Sequence, residues 1–136
     1  MTDAFPITIY HNPDCGTSRN ALAMIEAAGY APTVVEYRKV GWTRALLGEL
    51  LAAMGAKPRD VLREKGTPAA ELGLLTVGVS DESIIEAMLA HPILVNRPIV
   101  VTPKGTKLCR PSEVVLSLLD RQPDHFTKED GEIVRP

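Results

Sequence analysis

The 136-residue chain has little cysteine, almost no net charge and no long apolar run, and each shortage removes a class of protein. Two cysteines, Cys15 and Cys109, are too few for a disulfide scaffold or for a zinc site built of thiolates. Fifteen Lys and Arg against seventeen Asp and Glu leave a net charge of −2, without the basic excess of a nucleic-acid binder. No apolar run approaches the roughly 20 residues that a bilayer span needs. The opening Met1-Thr2-Asp3-Ala4 has no basic region leading into an apolar stretch, so the protein is expected in the cytoplasm. In that compartment two thiols are either packing or chemistry. What is present is ordinary for a globular chain: 45% hydrophobic and 24% charged residues. The length fits one domain, residues 1–136, with a real core.

Neither an internal repeat nor a low-complexity segment interrupts the chain. Phe5–Tyr10 predicts a first strand, with Pro6 near its start. His11-Asn12-Pro13-Asp14 is a turn. A helix is expected to begin between Cys15 and Ser18, with an apolar stripe at Ala21, Leu22, Met24, Ile25 and Ala28 and a stop at Gly29. Thr33–Tyr37 reads as a second strand. Leu46, Leu47, Leu50, Leu51 and Met54 mark a helix ended by Gly55, and Pro58 opens a short one through Leu62. Ile84, Ile85, Met88 and Leu89 mark another, capped at Ser80 or Asp81 and ended by Pro92. Pro98–Thr102 and Thr106–Cys109 predict a hairpin around a Pro-Lys-Gly turn. Pro111 opens a last helix with Val114, Val115, Leu118 and Leu119 facing in. Residues 124–136 are polar and expected to be loosely held. Strand, helix, strand, several helices, hairpin and helix fit a thioredoxin-like α/β fold. Its mixed four-stranded sheet is flanked by helices, and residues from about 43 to 91 form a helical insertion.

Cys15 follows a strand and opens a helix. Backbone N–H groups and the helix dipole there favour a thiolate, which is the nucleophilic form. Gly16 gives room, Thr17 and Ser18 carry hydroxyls, and His11 and Arg19 bring positive charge near. A dithiol oxidoreductase needs a second cysteine where Ser18 stands. A Cys-x5-Arg phosphate loop needs an arginine where Ala21 stands. A single nucleophilic thiol remains, and its oxidised form is resolved either by Cys109 or by an external small thiol.

Arg63, Arg97 and Arg110 are the candidate anion binders, because converging guanidinium forks suit a tetrahedral oxyanion. The hairpin decides whether Arg97 and Arg110 share a face. A two-residue loop at Lys104-Gly105 opposes Ile99 to Arg110 and brings them together. A three-residue loop ending at a left-handed Gly105 separates them.

The segment Ile9-Tyr10-His11-Asn12-Pro13-Asp14-Cys15-Gly16-Thr17-Ser18-Arg19-Asn20 resembles the active-site signature of glutaredoxin-coupled arsenate reductases. His91–Pro103, Leu108–Val114, Glu71-Leu72-Gly73-Leu74 and Phe126–Gly131 resemble further blocks of the same family, in the same order. The resemblance implies that Cys15 is the nucleophile and that Arg63, Arg97 and Arg110 hold arsenate. It implies that His11 helps keep Cys15 ionised and that Ser18 hydrogen-bonds the thiolate. It implies that Cys109 is dispensable, that glutathione is the resolving cosubstrate and that glutaredoxin is the partner. No bound cofactor or metal is implied. A cis Arg97-Pro98 bond facing Cys15 is expected from the fold. Asp14 departs from the pattern, since a carboxylate beside the nucleophile raises a thiol pKa unless it points away. A thioredoxin-fold transcriptional regulator, or a glutathione-dependent thiol enzyme with another substrate, is the competing class. Ser18 and the three arginines speak against the regulator.

Overall fold

Strand pairing at the N-terminal end of the chain begins just after Pro6, which has no N–H to give to a ladder. The computed structural model describes residues 5–136. Strand β1 spans Thr8–His11, later than the expected Phe5–Tyr10, with Ile9 and His11 buried and Thr8 and Tyr10 half-buried. Helix α1 spans Gly16–Ala27 and buries Ser18, Ala21, Met24 and Ile25. Gly29, at φ +94°, takes the left-handed turn that follows. Strand β2 spans Thr33–Glu36 and runs parallel to β1, as the crossover through α1 requires.

The chain forms two compact units, one of residues up to Glu36 together with Arg97–Pro136, the other of Tyr37–Asn96. In the first unit, β3 (Ile99–Thr102) and β4 (Gly105–Leu108) complete a mixed four-stranded sheet of order β2-β1-β3-β4. Strand β3 is antiparallel to both β1 and β4. Ile7, Ile9 and Val100 from the sheet meet Met24 and Ile25 of α1 and Val115, Leu118 and Leu119 in one core. This is the expected thioredoxin-like arrangement.

The hairpin register differs from both alternatives read from the sequence. Thr102 pairs with Gly105 and Ile99 with Leu108, so the two-residue turn is Pro103-Lys104. Proline fits the first central position of a turn, where its fixed φ suffices and no N–H is called for. The Thr102 hydroxyl accepts from the Lys104 N–H at 3.1 Å and donates to the Leu118 carbonyl at 2.7 Å, which locks the turn to the core. The pairing continues past the strand ends, because the Cys109 N–H donates to the Pro98 carbonyl at 2.8 Å. The same register sets Arg110 opposite Arg97.

The last helix is a 3-10 helix, Ser112–Leu118, and not an α-helix. Its buried residues Ser112, Val115 and Leu118 recur every third position, which matches three residues per turn. The tail is also better held than its polarity suggests. Strands β5 (Phe126–Thr127) and β6 (Ile133–Val134) pair antiparallel, and Phe126 and Val134 pack on the core of this unit.

The second unit is helical: α2 (Tyr37–Val40), α3 (Arg44–Met54), α4 (Asp81–Ala90) and 3-10 turns at Pro58–Val61 and Pro92–Leu94. The insertion expected at 43–91 lies within it. Thr43 caps α3 and Ser80 caps α4 through their hydroxyls, each worth about 1 kcal/mol. Tyr37 and Trp42 stack at 5.1 Å, and their polar tips donate to the carbonyls of Val95 and Pro92. Among the described residues, no helix is long and apolar enough to cross a membrane.

Candidate active site

Cys15 immediately precedes α1 and has extended backbone, φ −103° and ψ 121°. This is the capping position, normally filled by an oxygen that accepts from the first N–H groups of the helix. No side-chain oxygen fills it here, and the first turn carries no acidic residue. The sulfur therefore takes the place of the cap. The turn before it is fixed by Asn12, a residue the sequence marks only through its Asn-Pro dipeptide. The Asn12 carbonyl accepts from the Cys15 N–H at 3.0 Å, and its side-chain oxygen accepts from the Asp14 N–H at 2.9 Å. Asp14 itself is exposed.

Burial pushes the Cys15 thiol up, but the N–H of Ser18, the charge of Arg97, a hydrogen bond from Arg110 and the N–H of Thr17 outweigh it. The thiol ends below its ordinary range. Contact with a helix terminus is worth about 0.3–1 kcal/mol. No single contact of that size offsets burial, so the thiolate depends on several acting together.

Arg110 Nη1 lies 3.7 Å from Cys15 Sγ and donates to the Arg97 carbonyl at 3.1 Å. The peptide bonds Arg97-Pro98 and Arg110-Pro111 are both cis; the first was expected and the second was not. Cys15, Arg97 and Arg110 are thus gathered at one end of the sheet in the first unit. Arg63 belongs to the second unit, where its backbone N–H donates to the Leu94 carbonyl at 2.7 Å and its Nε to the Lys65 carbonyl at 3.0 Å.

Two expectations change in detail. His11 is buried, its Nδ1 lies 2.6 Å from Ser18 Oγ, and burial lowers its pKa against the opposing pull of Glu36. It is neutral near pH 7 and supports Ser18, in place of offering Cys15 a positive charge. Ser18 Oγ also accepts from the Asn12 N–H at 3.1 Å. Ser18 therefore favours the thiolate through its backbone N–H, while its hydroxyl ties the loop together.

Cys109 is fully buried among Ile9, Met24 and Val115, and burial pushes its thiol up to about 12. Both cysteines are free. Residues 128 and 129 of the tail reach the elements that carry the site, which nothing local in the sequence announces. Glu129 pairs with Arg19 through two bonds at 2.8 and 2.9 Å, and Lys128 meets Glu113 at 2.8 Å.

A single buried thiol of lowered pKa, held at a helix N-terminus beside two arginines on a thioredoxin-like sheet, defines a nucleophilic thiol protein suited to an anion. The profile of the ArsC family matches residues 10–118, and the chain belongs to that family. It is 62% identical to the arsenate reductase ArsI2 of Synechocystis sp. over 94% of this chain and 92% of that one. It is 61% identical to an arsenate reductase of Rhizobium meliloti, again over 94% of this chain and 92% of the other. Among solved structures, the arsenate reductase from Vibrio cholerae superimposes with a TM-score of 0.81 at 37% identity, covering 86% of this chain and all (100%) of that one.

Proposed function

We propose that this protein reduces arsenate to arsenite, with glutathione and glutaredoxin supplying the electrons. The observation that carries the reading is the 3.7 Å approach of Arg110 Nη1 to the low-pKa Cys15 sulfur, with Arg97 acting on the same sulfur. Two guanidinium groups neutralise a tetrahedral oxyanion, which lets an anionic thiolate approach it, and they stabilise the charge that develops on its oxygens. Arg63 is the third arginine on the family resemblance alone.

The Cys15 thiolate attacks arsenic and one oxygen leaves as water. Glutathione replaces a second oxygen, again as water. A glutaredoxin thiolate then takes the glutathione sulfur as a mixed disulfide. The electron pair of the arsenic–sulfur bond stays on arsenic, which falls from +5 to +3. Water releases arsenite and regenerates the Cys15 thiol. Phosphate fits the same arginines but cannot accept the electrons, so the chemistry supplies part of the selectivity. The need for a reduced glutathione pool fits a cytoplasmic site of action.

The test is a coupled assay with glutathione, glutaredoxin, glutathione reductase and NADPH. NADPH consumption is expected only when arsenate is present. Consumption without arsenate, or none with it, overturns the reading.

A further inference from the structure

The C-terminal hairpin of β5 and β6 holds two adjacent residues of opposite charge, and each grips a different wall of the site. Glu129 binds the Arg19 guanidinium in a fork, with bonds of 2.8 and 2.9 Å to its two carboxylate oxygens. The remaining Arg19 nitrogen donates to the Pro13 carbonyl at 2.8 Å, so Arg19 joins the tail to the loop that carries Cys15. The Glu129 N–H adds a bond to Asn20 Oδ1 at 3.1 Å. One residue earlier, Lys128 lies between Glu113 and Glu132, at 2.8 and 2.7 Å. Glu113 stands three residues after Arg110, at the start of the 3-10 helix.

Isolated surface ion pairs contribute little, about 0–1 kcal/mol. These two differ from that case. The Arg19–Glu129 pair is bidentate, which fixes orientation as well as distance. The Lys128 side chain is only 12% exposed and has two carboxylates to satisfy it. Phe126 and Val134 anchor the hairpin in the core on either side of the charged turn.

We propose that the Lys128-Glu129 pair is a clasp that sets the spacing between the Cys15 loop and Arg110, making both side chains positioning residues for the nucleophile. The proposal rests on the arsenate reductase reading for its benefit to catalysis, but not for its test. The same clasp also keeps the Arg19 charge occupied by Glu129 and directed at the Pro13 carbonyl, leaving anion binding to the other arginines.

The test is the pH dependence of Cys15 alkylation by iodoacetamide in folded full-length protein, which needs no arsenate. Glu129→Gln removes a negative charge, so a purely electrostatic role makes Cys15 more acidic and speeds alkylation at acidic pH. The clasp has the opposite sign: the loop loosens, the Arg110 and N–H contacts weaken, and alkylation at acidic pH slows about threefold. Lys128→Gln is expected to slow it similarly, and Lys128→Arg to restore the wild-type profile. Circular dichroism confirms that each variant is folded, and arsenate KM is expected to rise more than kcat falls. An unchanged or accelerated profile in Glu129→Gln, or failure of Lys128→Arg to restore it, overturns the clasp. If the wild-type protein has no arsenate-dependent turnover, the functional reading fails while the alkylation profiles still decide the clasp.

Discussion

Cys15 and Cys109 sit in the same unit, each just beyond the end of a strand, and both are buried at 6% and 0% exposure. Their thiols nevertheless move in opposite directions. Cys109 lies in apolar packing, its thiol donates to the Lys107 carbonyl at 3.6 Å and the Lys107 charge opposes burial only weakly, so the thiol rises to about 12. Around Cys15 burial is less complete, and two helix N–H groups and two arginines outweigh it. Desolvation is common to both regions. Directed donors make one of them reactive.

The sharpest way to break this contrast is to remove each sulfur. Cys15→Ser is expected to lower arsenate-dependent NADPH consumption by at least about a thousandfold, since a serine hydroxyl stays protonated at neutral pH. Cys109→Ser is expected to keep most of the rate. A dead Cys109→Ser protein that is still folded would restore the internal disulfide as the resolving step.

A second test compares the thiols directly by alkylation followed by mass spectrometry. The Cys15 pKa is lowered, so its thiolate persists below the pH at which an ordinary thiol protonates. Its reaction rate should hold to a lower pH than that of an ordinary thiol and fall only as acid carries the solution through that lowered value. Cys109 should be unlabelled at neutral pH until the protein unfolds, about a hundredfold slower or more. Comparable labelling of both cysteines in native protein would remove the distinction.

The smallest expected effect is on stability. Cys109→Ser places a hydroxyl in an apolar core and should cost about 1–3 kcal/mol, read as a lower urea midpoint. Cys15→Ser puts an ordinary capping residue at a helix N-terminus, where it should be neutral or stabilising. A larger loss at Cys15 than at Cys109 would reverse that ranking.

Much of the fold is legible in local residue patterns. The 3.6-residue stripe from Ala21 to Ala28, the β-branched run at Thr33–Val35 and the glycine stops at Gly29 and Gly55 are such signals, and they produce α1, β2 and α3. Cys15 stands out because its strand-end, helix-start position is itself a local pattern. The hairpin register does not, because moving the turn from Lys104-Gly105 to Pro103-Lys104 depends on where the Thr102 hydroxyl meets Leu118. The protonation of His11 escapes a sequence reading for a similar reason. Its neutrality follows from burial, with the Arg19 charge adding to it against the pull of Glu36, and a charge assigned by residue type registers none of these.

The sequence by itself determined which residues are able to act: one thiol poised at a helix start, arginines able to grip an oxyanion, and no second cysteine nearby to resolve it. These follow from residue type and spacing along the chain. The tertiary structure alone decided which of them act on one another. Arg110 reaches Cys15 across 95 positions of sequence, and Glu129 reaches Arg19 across 110. Coulomb and hydrogen-bond energies depend on separations of a few ångströms in space, and only the folded sheet and its clasping tail set those separations.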